Sequence, residues 1–255
     1  DYLLGVVLIN GRGELLTFGG QVMKNVAGYD VSRLMAGAWG TLGLLTEVSL
    51  KVLPVAPAEA TLRFECNQAD ALRKLHAWGG QPLPLNASCW VEDAGVGQLY
   101  VRLRGAVAAV DAACKSMGGT RLDNATAAPD WQACREQTLP WFAARLARPG
   151  QALWRLSLPA TAPVLALPGG VSPLVEWHGA LRWVQAPLAH GDVLREAARA
   201  VGGSASLFIA DGAGGERAGG QFDLKSAALE QIHARLKHSF DPAGIFNPGR
   251  MAPQW

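Results

Sequence analysis

The sequence has four cysteines in 255 residues, at positions 66, 89, 114 and 134, and none of them forms a CxxC pair. That excludes the common zinc-ribbon and iron–sulfur ligand patterns and leaves reduced thiols as the expectation. There is no Walker A loop, no GxSxG elbow and no HExxH helix, which removes P-loop nucleotidases, α/β-hydrolases and zincins. Charge is sparse: 17% of residues are charged, with 23 Lys+Arg against 21 Asp+Glu, a net of +2. Such a balance provides no strong attraction to nucleic acid or anionic lipid. No apolar run reaches the roughly 18 residues of a membrane span. Neither a signal-peptide pattern nor an initiator Met is present, and Asp1 leads at once into the strand-like YLLGVVLIN.

What is present is apolar and rich in glycine: 49% hydrophobic residues and 30 glycines, enough chain for a sizeable core. Leu3 to Ile9 and Glu14 to Phe18, joined at Asn10-Gly11, read as a β-hairpin. Asp30 caps a short helix that carries Val31, Leu34 and Met35 on one face and ends at Gly37. A turn and a strand follow, closed by Pro54, and PVAPAEA marks a domain boundary. Beyond it, strands are expected at 60–66, 87–91, 98–104, 120–122, 152–158, 173–185 and 204–209. Helices are expected at 68–78, 107–117, 130–146, 193–201 and 224–238. The order β-α-β-β-α-β implies an α+β fold, an antiparallel sheet with helices on one face, and no internal repeat. Residues 211–221, DGAGGERAGGQ, read as a linker-like loop.

The densest signal is KNVAGYDVSRLMAGAWGTLGLLTEVSLKVLP, from Lys24 to Pro54. Gly37, Gly40 and Gly43 form GxxGxxG with a helix before it and a strand after it. A nicotinamide-binding Rossmann turn needs the reverse order, so that reading fails. This segment resembles the second part of the FAD-binding domain of the vanillyl-alcohol oxidase, or PCMH-type, FAD-linked oxidases. Their pattern there is K-N-x-x-G-Y-D-L-x-x-L-x-x-G-S-x-G-T-L-G-I-I-T-E. The closing FDPAGIFNPGRM matches the same family's D-P-x-G-I-x-N-P-G-K. Within the family, GGQVMKNVAGYD looks most like the glycolate oxidase E subunits.

The resemblance implies an FAD-linked oxidoreductase subunit that turns a 2-hydroxy acid into a 2-oxo acid. Gly28, Tyr29, Gly37, Gly40, Thr41, Gly43 and Leu44 become flavin contacts, with Asn247 near the flavin or its substrate. Backbone N–H groups around Gly40, Thr41 and Gly43 suit a pyrophosphate, and Leu44 and Leu45 suit the flavin ring. Trp39 and Arg250 depart from the family pattern, which has a small residue and Lys at these places. Residues 1–56 are expected to form the C-terminal part of the FAD-binding domain and 57–255 a cap domain, with the tail 241–255 returning to the flavin site. The first half of the FAD domain is not found in the sequence, so FAD binding is expected to be weak or absent. No catalytic residue and no metal site is assigned; the five histidines, His190 in HGD included, lack a ligand pattern. The expected partners are a catalytic flavoprotein subunit and an iron–sulfur subunit, with the chain cytoplasmic and peripheral at the inner membrane face through that complex. The alternative is a non-catalytic docking subunit that presents Trp90, Trp154, Trp177 and Trp183 as interface anchors.

Overall fold

A computed structural model of the chain describes residues 2–20, 30–144, 148–210, 222–223 and 226–252. Two compact units emerge, one made of Asp1–Pro54 and Arg217–Trp255, the other of Val55–Glu216. In the first unit, β1 (Leu3–Ile9), β2 (Leu15–Gly19) and β3 (Leu44–Leu50) form an antiparallel sheet in the order β2-β1-β3. The β1–β2 turn is set by Asn10, whose Oδ1 accepts the N–H groups of Arg12 and Glu14 at 2.9 and 3.0 Å.

The second unit carries an eight-stranded sheet in the order β11-β8-β10-β9-β5-β6-β4-β7, antiparallel throughout. Its first half is β4 (Ala58–Glu65), α1 (Gln68–Gly79), β5 (Leu85–Asp93), β6 (Val96–Gly105), α2 (Val107–Met117) and β7 (Thr120–Leu122). Then come α3 (Asn124–Glu136) and α4 (Pro140–Ala143). The second half is β8 (Gln151–Ser157), β9 (Leu174–Glu176), β10 (Leu181–Pro187), α5 (Gly191–Ala200) and β11 (Ser204–Ile209). In each half the fourth strand pairs with the first, the first with the third and the third with the second. The topology is therefore a repeated split β-α-β motif, joined where Trp90 of β5 faces Val175 of β9. The sequence carries no trace of the repeat, because residues 158–173 of the second half hold a 3₁₀ turn, Pro168–Gly170, in place of the first helix.

Alternation along the strands assigns the two faces. Ala60, Leu62, Leu99, Val101 and Leu103 pack with α1 and α2, and Trp154 and Leu156 pack with Leu194 and Ala198 of α5. The intervening residues Cys89, Leu153 and Trp183 meet Trp131 of α3 and Phe142 of α4. α3 and α4 thus cover part of the second face, while α1, α2 and α5 cover the first. Trp90, Trp154 and Trp183 are buried, each with its indole N–H bonded, to Cys66 O, Ala186 O and Glu176 Oε2 respectively. Of the four tryptophans read as interface anchors, Trp177 alone is exposed, so they fill the core and form no contiguous surface patch.

Two expected elements are each divided in two. The helix read over 130–146 is α3 and α4. Asp123 caps α3 through Thr126 N–H at 3.0 Å, Gln137 turns the chain at φ +58°, and Pro140 starts α4. The strand read over 173–185 is β9 and β10, separated by a turn in which Trp177, His178 and Gly179 all have positive φ. The linker-like reading of 211–221 lies outside the described residues.

The last helix, α6 (Ala227–Phe240), belongs to the first unit along with the tail. Ser226 caps it through Leu229 N–H at 3.3 Å, and Phe240 packs on a core of Val6, Leu8, Met35, Ala38 and Leu42. Among the described residues, no helix is long and apolar enough to cross a membrane.

Candidate functional site

Asp30 opens the glycine-rich segment. Its carboxylate accepts the Ser32 hydroxyl at 2.7 Å and the Arg33 N–H at 3.2 Å, starting a 3₁₀ turn at Ser32–Met35. The chain then loops through Gly37, Trp39 and Gly40, with φ of +87°, +53° and +68°. Thr41 closes the loop. It is buried, and both its hydroxyl and its N–H donate to Ala38 O, at 2.6 and 3.0 Å. The Thr41 donors are thus spent inside the loop, and this residue shapes the backbone. At Gly43 a Cβ would lie 2.7 Å from Ile9 O, so glycine here lets the loop press on β1.

The tail meets this loop through a lysine that sequence reasoning missed. Lys237 of α6 is buried, and its ammonium donates to Thr41 O at 2.9 Å, Phe246 O at 2.7 Å and Asp241 Oδ2 at 2.5 Å. Asp241 in turn accepts the N–H groups of Ile245 and Phe246 at 3.1 and 2.8 Å. Burial pushes the Asp241 carboxyl up, but the Lys237 ammonium and these two N–H groups outweigh it and hold the carboxyl below its ordinary range. The pair folds residues 241–247 back, and Asn247 Nδ2 donates to Trp39 O at 2.8 Å. A Cβ at Gly40 would lie 2.7 Å from that same amide. Gly40 and Asn247, far apart in sequence, are in contact. The only signal for Lys237 is its place four residues before Asp241 at a helix end.

The two residues that depart from the family pattern meet each other. The Arg250 guanidinium stands 5.0 Å from the Trp39 ring centre, and the Phe222 ring packs at 5.7 Å. Gly37, Thr41 and Leu42 also line a cavity of about 240 Å³ with Leu236 and Met251. Gly28 and Tyr29 lie outside the described residues.

The residues present fit one wall of a dinucleotide site. The N–H groups of Trp39 and Gly40 have no hydrogen-bond partner among the described residues. Gly37 faces open space, and Leu44 and Leu45, which point to opposite faces of β3, are 56% and 40% exposed. Among the described residues, no group of His, Cys, Asp or Glu is arranged to hold a metal ion.

No protein-family model matches the chain. Over 251 residues, 98% of its length, the chain is 45% identical to glycolate oxidase subunit GlcE of Escherichia coli (strain K12). It spans 65% of that protein, a little under two thirds. Over 71 residues it is 40% identical to glycolate oxidase subunit GlcD of Bacillus subtilis (strain 168), covering 28% of this chain and 15% of that one. A solved structure of alkyldihydroxyacetonephosphate synthase superposes with a TM-score of 0.54 at 15% identity, covering 97% of this chain and 51% of that one, a likeness of fold.

Proposed function

We propose that this chain, a homologue of glycolate oxidase subunit GlcE along 98% of its length, is an FAD-linked oxidoreductase subunit acting on the CH–OH group of a 2-hydroxy acid. The near full-length similarity carries this reading, and the contact between the glycine loop and Asn247 supports it. When bound, FAD supplies the hydride acceptor that turns a hydroxy acid into an oxo acid. The chain's own residues bind and orient. Gly28, Tyr29, Gly37 and Gly40 let backbone approach the cofactor. Thr41 shapes the loop and Gly43 lets it press on β1, Leu44 would offer an apolar surface to the flavin ring, and Asn247 braces Trp39. In this reading the first unit is the flavin-binding part and the second the cap.

These residues make one wall, so flavin affinity of this chain by itself is expected to be low. The partners fitting the reading are a catalytic flavoprotein subunit and an iron–sulfur subunit that takes the electrons on. The place that goes with them is the cytoplasm, peripheral to the inner membrane face. The docking alternative loses its main support with Trp90, Trp154 and Trp183 in the core.

The test is titration of the purified chain with FAD, followed by flavin fluorescence and calorimetry. Weak saturable binding is expected, lowered up to about tenfold in Asn247→Ala, the scale of one hydrogen bond, and lost in Gly40→Val. Binding indifferent to both changes would overturn the assignment of this site.

A further inference from the structure

The second unit holds a groove of about 690 Å³, within the range of small-molecule sites. Its walls include Arg102 and Arg104 of β6, Trp131 and Arg135 of α3, and Trp177 and His178 of the turn after β9. None of these residues is in the flavin set, so the groove stands independently of the flavin reading.

The charges in the groove are unequally satisfied. Arg104 pairs with Glu59 and Arg135 with Glu136, both at 2.9 Å. Glu176 accepts the Cys134 thiol at 2.8 Å and the Trp183 indole N–H at 2.5 Å. Arg102 differs: its Nε donates to the neutral amide of Asn86 at 2.7 Å, and its guanidinium lies 5.1 Å from the Trp131 ring centre. Among the described residues no carboxylate lies at ion-pair distance from it and its terminal N–H groups have no partner. Burial costs this cation hydration and lowers its pKa, against the pull of the nearby Glu59 carboxylate that pairs with Arg104. A guanidinium held near an indole, with its terminal N–H groups free, can take a carboxylate through two parallel bonds.

The turn after β9 is strained. Trp177 and His178, two consecutive non-glycine residues, sit at φ +51° and +54°. Such backbone costs of order 1–3 kcal/mol per residue and gathers at ligand sites. It is held here by the His178 N–H on Ser88 Oγ at 2.8 Å. The effect is to stand the Trp177 ring out, 65% exposed, with the Arg155 guanidinium 5.9 Å from its centre. Nδ1 of His178 is buried without a hydrogen-bond partner among the described residues. An orphaned ring nitrogen, an unpaired guanidinium and a strained indole share one groove.

We propose that this groove binds a small organic acid with an apolar or aromatic body, Arg102 taking the carboxylate and Trp177 the body. Calorimetric titration of the full chain with benzoate, acetate and inorganic phosphate tests it. Saturable benzoate binding is expected, tighter than acetate and tighter than phosphate. Arg102→Gln should weaken it at least tenfold, the scale of a charge-assisted hydrogen bond. Arg102 packs on Trp131, so a second variant guards against misfolding. Trp177→Gly suits the left-handed backbone, keeps the turn, and should bring benzoate affinity down to that of acetate. Circular dichroism shows that each variant is folded. Failure of wild type to bind benzoate would overturn the proposal. So would phosphate binding as tightly as benzoate, or benzoate affinity unchanged in both folded variants.

Discussion

Burying the Lys237 ammonium costs several kcal/mol of hydration, and three acceptors meet it: Thr41 O, Phe246 O and Asp241. Removing one partner leaves the other buried and unpaired. Lys237→Met is therefore expected to destabilise the first unit by about 3–5 kcal/mol, measured by denaturant unfolding. Lys237→Met with Asp241→Asn removes both charges and should recover part of that loss; a double variant no better than the single would rule out the ion pair as the cause. The pair also sets a pH dependence. The Asp241 carboxyl titrates lower folded than unfolded, so its contribution is present above the ordinary carboxylate range and fades as pH falls through the depressed folded value. Asp241→Asn should flatten the acid limb of the stability profile below about pH 4, and an unchanged limb would mean other carboxylates govern it.

Between α3 and α4 the chain reverses at Gln137, φ +58°, a position where helices favour glycine. Gln137→Gly is expected to stabilise the second unit by about 0.5–1 kcal/mol, read as a raised melting temperature, and a lowered one would show that the Gln side chain packs productively. The same residue marks where sequence reading stops working. Elements with clean periodicity were legible to the residue: Val107–Met117, Thr120–Leu122 and Ser204–Ile209 fall where the pattern puts them. Breaks made by Gln137, Trp177 and His178 were not, because Gln and Trp give no sign of a positive φ and His only a weak one. The repeated topology was hidden for a different reason, since strand pairing order is a property of the sheet and the second half omits a helix. At the candidate site, the meeting of Gly40 with Asn247 was legible through two motifs at opposite ends of the chain. Lys237 was not, because a lysine in a last helical turn is normally solvated.

Apolar burial is divided unequally across the molecule. Among the described residues, the second unit has three core clusters, built around Leu62, Trp154 and Trp183, whereas the first has one, with five buried side chains. Among the described residues of the first unit, β3 pairs with β1 alone, and Leu44, Leu45, Val48 and Leu50 are exposed. Local stability follows buried contact, so amide exchange should open β1 at lower free energy than β6 or β8. Acidification below about pH 4 should widen the gap, because the Lys237–Asp241 pair lies in the first unit. A ligand stabilises only the state that holds it, by about 2.7 kcal/mol at roughly 100 times its dissociation constant. Added FAD is therefore expected to raise protection in β1 and in the loop from Gly37 to Gly43, and to leave β8 as it was. Protection that rises in β8 while the glycine loop stays unchanged would take the flavin site out of the first unit, whatever the chain's relatives do.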